Sequence, residues 1–269
     1  MGKLRLGQVD YLNVLPVYQP IEEGRVPLSA EVIKGPPTML NGMFINGELD
    51  ITPISSIEYA RNHRQAMILP DLSITADGEV MSILLISKVP PTELDGRRVA
   101  LTSSSATSVA LLKILLEHYY QVENEFVTLP PDLDEMLKQA DAALLIGDDA
   151  LLAGHRCREE NSPLYVTDLG EAWKEFTGEK MVYALWVIRR EFVEGRPAEV
   201  EEISSRLAEA KKHSGEDIGH IVQVAVGKRG LPKDMMEKYF FQVMEYEFGP
   251  AEKKGLMTFY DYAYKSGLI

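Results

Sequence analysis

The sequence predicts an α/β protein of two lobes, with a ligand cleft between the lobes and a helical C-terminal region. Three observations carry the prediction. Short apolar runs alternate with helix-spaced segments along most of the chain, the rhythm of repeated βα units. That rhythm pauses at a polar, proline-bearing stretch, Lys88-Val89-Pro90-Pro91-Thr92-Glu93-Leu94-Asp95-Gly96, and then restarts. From Pro197 onward the pattern is almost wholly helical. A single doubly wound domain decorated with helices is the alternative reading of the same pattern.

The elements follow in order. Leu4 to Val9 alternates apolar positions as a strand does, and the polar turn Asp10-Tyr11-Leu12-Asn13 leads into a helix from Val14 to Glu23, ended by Gly24. Ala30 to Lys34 is extended. Thr38 to Asn46 has helical spacing, with Pro36 and Pro37 before it and Gly47 after it as start and stop signals. Leu49 to Ile54 is a short buried strand, followed by a helix from Ser56. Met81 to Ser87 is a nearly continuous apolar run, suited to a strand covered on both faces.

Beyond the polar stretch, strands are expected at Arg98–Thr102, Glu125–Leu129, Ala142–Ile146 and Leu164–Thr167, with helices at Ala106–Tyr120, Asp134–Gln139 and Asp148–Gly154. Tyr183 to Ile188 reads as a strand returning to the first lobe. The second lobe is therefore read as an insertion. Residues 1–88 and 187–269 form lobe I with the C-terminal helices, and 89–186 form lobe II, with crossings near 88–96 and 179–186. Closure of two lobes about a hinge is a known motion of such proteins. The acidic stretch Glu194–Glu209 reads as a solvated helix face.

Composition narrows the function. Hydrophobic residues make up 45% and charged residues 26% of 269 residues, as in ordinary globular proteins. A net charge of −13 argues against nucleic acid, whose binders carry basic stripes, and against an anionic membrane surface. It leaves room for a small anion, which helix N-termini and hydroxyls hold whatever the global charge. No apolar run approaches the roughly 20 residues that span a bilayer. The chain enters a strand at once, without a signal-peptide core, which leads us to expect a cytoplasmic protein. Cys157 is the only cysteine, so no intrachain disulfide forms, and its place at a helix end reads as incidental rather than nucleophilic.

Polar clusters recur where strands end and helices begin, which is where open α/β sheets bind ligands. Asp10–Asn13 is one, with Tyr11 and Asn13 as contact candidates. Pro53-Ile54-Ser55-Ser56 is a second, where Ser55 or Ser56 is expected to cap the next helix. Thr102-Ser103-Ser104-Ser105-Ala106-Thr107-Ser108 is the richest, with six hydroxyls in seven residues ahead of an apolar helix. One cap needs one hydroxyl, so Ser104, Ser105, Thr107 and Ser108 point to a bound carboxylate or phosphate; the alternative is caps alone, worth about 1 kcal/mol each.

Gly147, Asp148 and Asp149 form a fourth junction. Gly147 permits close backbone approach, and the aspartates are expected to cap the next helix rather than hold a metal. Ser82, at the start of the apolar run Ile83–Ser87, faces a ligand or is merely a small residue at a strand start; spacing alone leaves both readings open. Histidines 63, 118, 155, 213 and 220 are scattered without zinc-site spacing. Dinucleotide and P-loop glycine motifs and a G-x-S-x-G elbow are all absent. No metal and no cofactor are expected.

These stretches resemble the menaquinone-pathway chorismate dehydratase family. The resemblance rests on Gly7-x-Val9-x-Tyr11-Leu12-Asn13-x-Leu15-Pro16, on Gly47-Glu48-Leu49-Asp50 with Pro53-x-Ser55-Ser56-x-Glu58-Tyr59, and on Ser82 to Ser87. It continues through Thr102 to Ser108, Ala143 to Leu151, and Asp168-Leu169-Gly170-Glu171-x-Trp173-x-x-x-Thr177-Gly178, in order over almost the whole chain. One departure follows Gly178, where this chain reads Glu179-Lys180-Met181-Val182 in place of an apolar run, so that Lys180 becomes a candidate partner for a substrate carboxylate.

The resemblance implies a type II periplasmic-binding-protein-like fold and dehydration of chorismate, a dicarboxylate, to 3-[(1-carboxyvinyl)oxy]benzoate. It implies that Asn13 and Ser82 lie nearest the chemistry, with an enolpyruvyl carboxylate of the substrate as proton acceptor. Three other readings compete. A solute-binding protein of the same fold would need an export signal. The sister enzyme that makes 1,4-dihydroxy-6-naphthoate is expected to differ at Tyr11-Leu12-Asn13. A transcriptional effector domain would bring a helix-turn-helix or basic region.

Overall fold

The structure, a computed structural model, describes residues 3–269. Contacts divide the chain into two compact units, each built on a five-stranded sheet. The first unit runs up to Thr75 and resumes over Val182–Pro250; the second comprises Ala76–Met181 and Ala251–Ile269.

In the first unit, β1 (Leu4–Val9), α1 (Leu15–Glu22), β2 (Ala30–Gly35), α2 (Pro37–Ile45), β3 (Ile51–Ser55) and α3 (Ser56–Asn62) follow the predicted order. A tight 3₁₀ turn, Leu12–Val14, precedes α1. The sheet continues with β4 (Ala66–Ala76), which the sequence reading missed. Pro70 and Asp71 interrupt its pattern and read as a turn, and Asp71 indeed takes a left-handed φ of 56°. Its place at the sheet's edge explains why the proline is tolerated there.

The second unit holds β5 (Ile83–Ser87), β6 (Arg98–Thr102), α4 (Ala106–Ile114, continued by a π-helical turn Leu115–Tyr120) and β7 (Glu125–Leu129). It goes on with α5 (Leu133–Gln139), β8 (Ala142–Ile146), α6 (Gly147–Glu159), β9 (Tyr165–Asp168) and α7 (Leu169–Thr177). The chain then enters β10 (Met181–Arg189), followed by α8 (Arg190–Gly195), α9 (Pro197–Glu216), α10 (Ile218–Arg229), α11 (Lys233–Lys238) and finally α12 (Pro250–Lys265).

The first sheet has the order β2-β1-β3-β10-β4 and the second β7-β6-β8-β5-β9. In each, a strand from elsewhere in the chain inserts antiparallel. β10 pairs with β3, setting Ala184 opposite Ser55, and β5 pairs with β8, setting Ile83 opposite Ile146. β3, β5 and β8 are buried throughout, which explains why β5 and β8 read as continuous apolar runs instead of alternating ones. In the second unit Leu84, Ile86, Ala100 and Leu145 pack with Met136 and Cys157, so the lone cysteine is a core residue whose thiol pKa is pushed up by burial.

The expected lobe boundaries are corrected at two points. The first division falls between Thr75 and Ala76 rather than near 88–96, because β5 bonds to β8 and β9 of the second unit. The proline-bearing stretch is a surface turn of that unit, tied by Lys88 N–H to Asp141 O at 2.9 Å and Gly96 N–H to Glu123 O at 2.8 Å. The C-terminal helix α12 also belongs to the second unit and not to the first. Phe259 and Tyr262 lie with ring centroids 6.1 and 6.0 Å from Trp173, and His118 Nε2 meets Ser266 Oγ at 2.9 Å.

Gly255 of α12 lies directly against the backbone of Lys180, so that a Cβ there would overlap the Lys180 carbonyl. Gly255→Ala is therefore expected to lower stability by about 1–3 kcal/mol through overpacking against an unyielding backbone, read as a lower midpoint in urea or heat. An unchanged midpoint would show that α12 does not dock this closely.

Candidate active site

In the first unit the predicted residues gather at the carboxyl edge of the sheet. β1 and β3 run parallel, with Leu6 opposite Ile51, so the turn after β1 and the serines after β3 emerge on the same side. Asp10 N–H donates to Gly35 O at the end of β2, 3.2 Å away, and the chain folds at once into the 3₁₀ turn that carries Asn13. Tyr11, half-buried, heads this turn, its carbonyl accepting from Val14 N–H at 3.5 Å.

Asn13 Oδ1 is buried and has no hydrogen-bond partner among the described residues. Leaving such an atom unsatisfied costs on the order of 1–3 kcal/mol, and this acceptor, at a strand's carboxyl end, is available to a further donor. The strand that leads to this turn is tied to α1 and β10. Tyr18 O–H donates to Gly7 O at 2.7 Å and accepts from Trp186 Nε1 at 3.1 Å, and burial holds the phenol protonated far above its usual range.

Neither serine caps α3 as expected. Ser55 occupies the cap position without a side-chain bond to the helix; its Oγ accepts from Asn41 Nδ2 at 3.2 Å and its N–H donates to Asn41 Oδ1 at 3.4 Å. Ser56 Oγ donates to Val182 O, 2.7 Å away, stitching α3 to the start of β10. Asn41, buried on α2, is the residue that fixes Ser55, and sequence reading passed over it. Its only signal was a polar residue on an otherwise apolar helix.

In the second unit the remaining candidates meet at one edge. β6 and β8 run parallel, and β5 enters antiparallel between β8 and β9, so its beginning lies beside the ends of the others. Ser82 and Gly147 are directly joined, Gly147 N–H donating to Ser82 O at 2.7 Å, with Gly147 at a φ of 58° that favours glycine. Asp148 is buried in the first turn of α6. The cap position of that helix is Ile146, so the expected capping by Asp148 and Asp149 is corrected: they place negative charge near the dipole's positive end.

The hydroxyl cluster splits into pairs. Thr102 Oγ1 and Ser104 Oγ lie 2.7 Å apart, and Ser105 caps α4 by accepting Ser108 N–H at 3.2 Å while bonding Ser108 Oγ at 3.0 Å. Thr107 is buried behind them. One hydroxyl, that of Ser105, does the capping, and Thr102 and Ser104 form a separate hydrogen-bonded pair just ahead of the N-terminus of α4.

Ser82 follows a strained turn. Its N–H donates to Val80 O at 2.7 Å, closing three residues around Met81, whose φ is 59°. This is the high-energy form of the γ-turn, costing about 1–3 kcal/mol for a residue with a side chain. Ser82 Oγ donates back to Val80 O at 3.2 Å.

Asp168, at the end of β9, holds this turn. Its Oδ2 accepts from Met81 N–H at 2.7 Å and both its oxygens accept from Val80 N–H at 3.1 Å. Oδ1 also caps α7 through Gly170 N–H at 2.8 Å and Glu171 N–H at 3.1 Å. Burial pushes its carboxyl up to about 6, against the pull of the four N–H donors, so at neutral pH it is a carboxylate, able only to accept. Beyond its place in the matched motif, nothing in the sequence signals this role, because the partners lie 87 and 88 residues away.

Lys180, the candidate raised by the family departure, has a carboxylate partner within the chain. Its Nζ lies 2.8 Å from Glu252 Oε1, a buried carboxylate on α12, and the pair ties the segment that follows α7 to the C-terminal helix. A cavity of about 560 Å³ in the first unit, lined by Pro16, Phe240, Phe241 and Tyr246 among others, contains none of the predicted residues. Among the described residues no three His, Cys, Asp or Glu side chains converge as metal ligands, and no helix is long and apolar enough to cross a membrane.

The chain as a whole is similar to several known proteins. The chain is similar to chorismate dehydratase of Thermus thermophilus, with 28% identity over 94% of this chain and 93% of that one. It is also similar to 1,4-dihydroxy-6-naphthoate synthase of the same organism, with 26% identity over 82% of this chain and 79% of that one. A crystal structure of an Archaeoglobus fulgidus protein superposes with a TM-score of 0.81 at 22% identity, covering 99% of this chain and 98% of that one. The periplasmic aliphatic sulphonate binding protein of Escherichia coli superposes at 0.68 with 14% identity, covering 99% and 88%, so the fold is that of periplasmic binding proteins. The sequence family described as menaquinone biosynthesis matches residues 4–265, and the chain belongs to that family.

Proposed function

We propose that the chain is a hydro-lyase converting chorismate to 3-[(1-carboxyvinyl)oxy]benzoate and water, acting in the cytoplasm without a metal or cofactor. The observation that carries this reading is the similarity to chorismate dehydratase, which runs through nearly the full length of both chains. The similarity to the naphthoate synthase spans less of each. The buried Asn13 Oδ1, without a hydrogen-bond partner among the described residues, supports it, because it lies in the stretch Tyr11-Leu12-Asn13 that distinguishes the dehydratase reading.

The chemistry asks little of the protein beyond placement. One ring carbon gives up its proton, the neighbouring C–O bond breaks, hydroxide and proton leave as water, and aromatisation of the ring drives the reaction. Asn13 and Ser82 carry no group that ionises near neutrality, so we assign the proton to the substrate's own enolpyruvyl carboxylate. Asn13 holds the substrate through its amide, and Ser82 orients the reacting centre. The hydroxyls of Ser104, Ser105 and Ser108, with the N-terminus of α4, serve a carboxylate, and Tyr11, Ser55, Ser56, Thr107, Gly147 and Asp148 are the further substrate-binding residues of this reading.

The test is the purified chain with chorismate as the sole added small molecule, followed by ultraviolet absorbance before and after exhaustive dialysis against a chelator. Product is expected at the same rate in both. Loss of activity on chelation would overturn the metal-free assignment. Tight binding of chorismate without turnover would favour a receptor.

A further inference from the structure

We infer that Asp168 is a positioning residue for catalysis, setting Ser82 by clamping the strained turn that precedes it. The inference rests on the role proposed for Ser82. Three constraints converge on that serine. Its N–H closes the turn on Val80 O, its carbonyl is held by Gly147 N–H, and the N–H groups of the two preceding residues, Val80 and Met81, are both taken by the Asp168 carboxylate. Met81 keeps its φ of 59° only where its surroundings over-determine it. The carboxylate supplies that constraint from another strand, and the register that sets Leu84 opposite Asp168 delivers it to the turn.

The same carboxylate caps α7, so one group ties three features together: the strand end, the helix start and the turn. A residue needed only as a cap would use one oxygen and leave the other to solvent. Here Oδ2 is devoted to Val80 and Met81. A carboxylate suits this place because both oxygens must accept. Asparagine would turn an N–H toward one set of N–H donors.

The experiment uses Asp168→Ser, since a serine hydroxyl can still cap α7 but cannot reach the turn. Its kcat is expected to fall roughly 10- to 100-fold with KM within about threefold, the signature of a displaced group rather than lost binding. In a Ser82→Ala background the same change is expected to cost no more than about twofold, because Asp168 acts through Ser82. Adding Met81→Gly, which lets the turn hold its φ without the carboxylate, is expected to recover at least about threefold in kcat. Should Asp168→Ser fail to fold, Asp168→Asn carries the same comparisons. Normal kcat in the Asp168 variant beside a slow Ser82→Ala, or fully additive losses in the double variant, would overturn the inference. Normal turnover in Ser82→Ala alone would instead remove the proposed role of Ser82, and this inference with it.

Discussion

Asn13→Ala is expected to lose about 10²- to 10³-fold in kcat while folding at least as well as the unaltered chain. The two halves of this expectation have one cause. The Asn13 Oδ1 makes no hydrogen bond among the described residues, so truncation breaks none of that atom's bonds and removes a buried polar atom that costs the fold on the order of 1–3 kcal/mol. If the amide holds the substrate against developing charge, its loss is felt in the transition state, where removing one preorganised group costs about 3–4 kcal/mol. Steady-state kinetics beside thermal unfolding checks both. Near-normal turnover would remove Asn13 from the mechanism, and a melting temperature several degrees lower would show that its amide is structural.

Ser82→Ala is expected to lose about 10²-fold in kcat with a small stability change. Its hydroxyl donates to Val80 O at 3.2 Å, a long bond within a turn already closed by the backbone, so its loss from the fold costs about 1 kcal/mol or less. Ser82→Cys keeps the shape and a weak donor and is expected to fall between the two. Were the serine a mere small residue at a strand start, alanine would turn over normally and cysteine would be the worse substitution, through its larger volume. Measuring kcat for the three side chains separates these orders.

Much of the fold was legible because each sheet's central strands are buried on both faces and announce themselves as apolar runs. Ile83–Ser87 and Ala142–Ile146 are examples. The polar strand ends were legible for the complementary reason: Asp10–Asn13 and Thr102–Ser108 place more polarity at a turn than the turn itself needs. What escaped was set by contacts distant in sequence. β4 hides behind Pro70 and Asp71, whose turn chemistry is absorbed at a sheet edge. The first unit boundary was misplaced because proline and charge at 88–96 mark a surface turn as readily as a crossing, whereas the pairing of β5 with β8 leaves no local mark.

The site followed the same division. Residue types at Asn13, Ser82 and the hydroxyl cluster were visible; the residues that hold them were not. Asn41 grips Ser55 from 14 residues away and Asp168 grips the Ser82 turn from strand β9, and no spacing in the sequence links either to its partner. Lys180 shows the converse. It stands out in sequence as a departure from the family pattern, and the structure gives it to Glu252.

The most direct measurement is proton NMR of chorismate incubated with the purified chain. The account predicts loss of the ring-diene signals and stoichiometric growth of four aromatic protons of a meta-substituted benzoate that retains its enolpyruvyl methylene. Chorismate signals that broaden on binding yet persist, or an aromatic product that has lost the enolpyruvyl group, would contradict it.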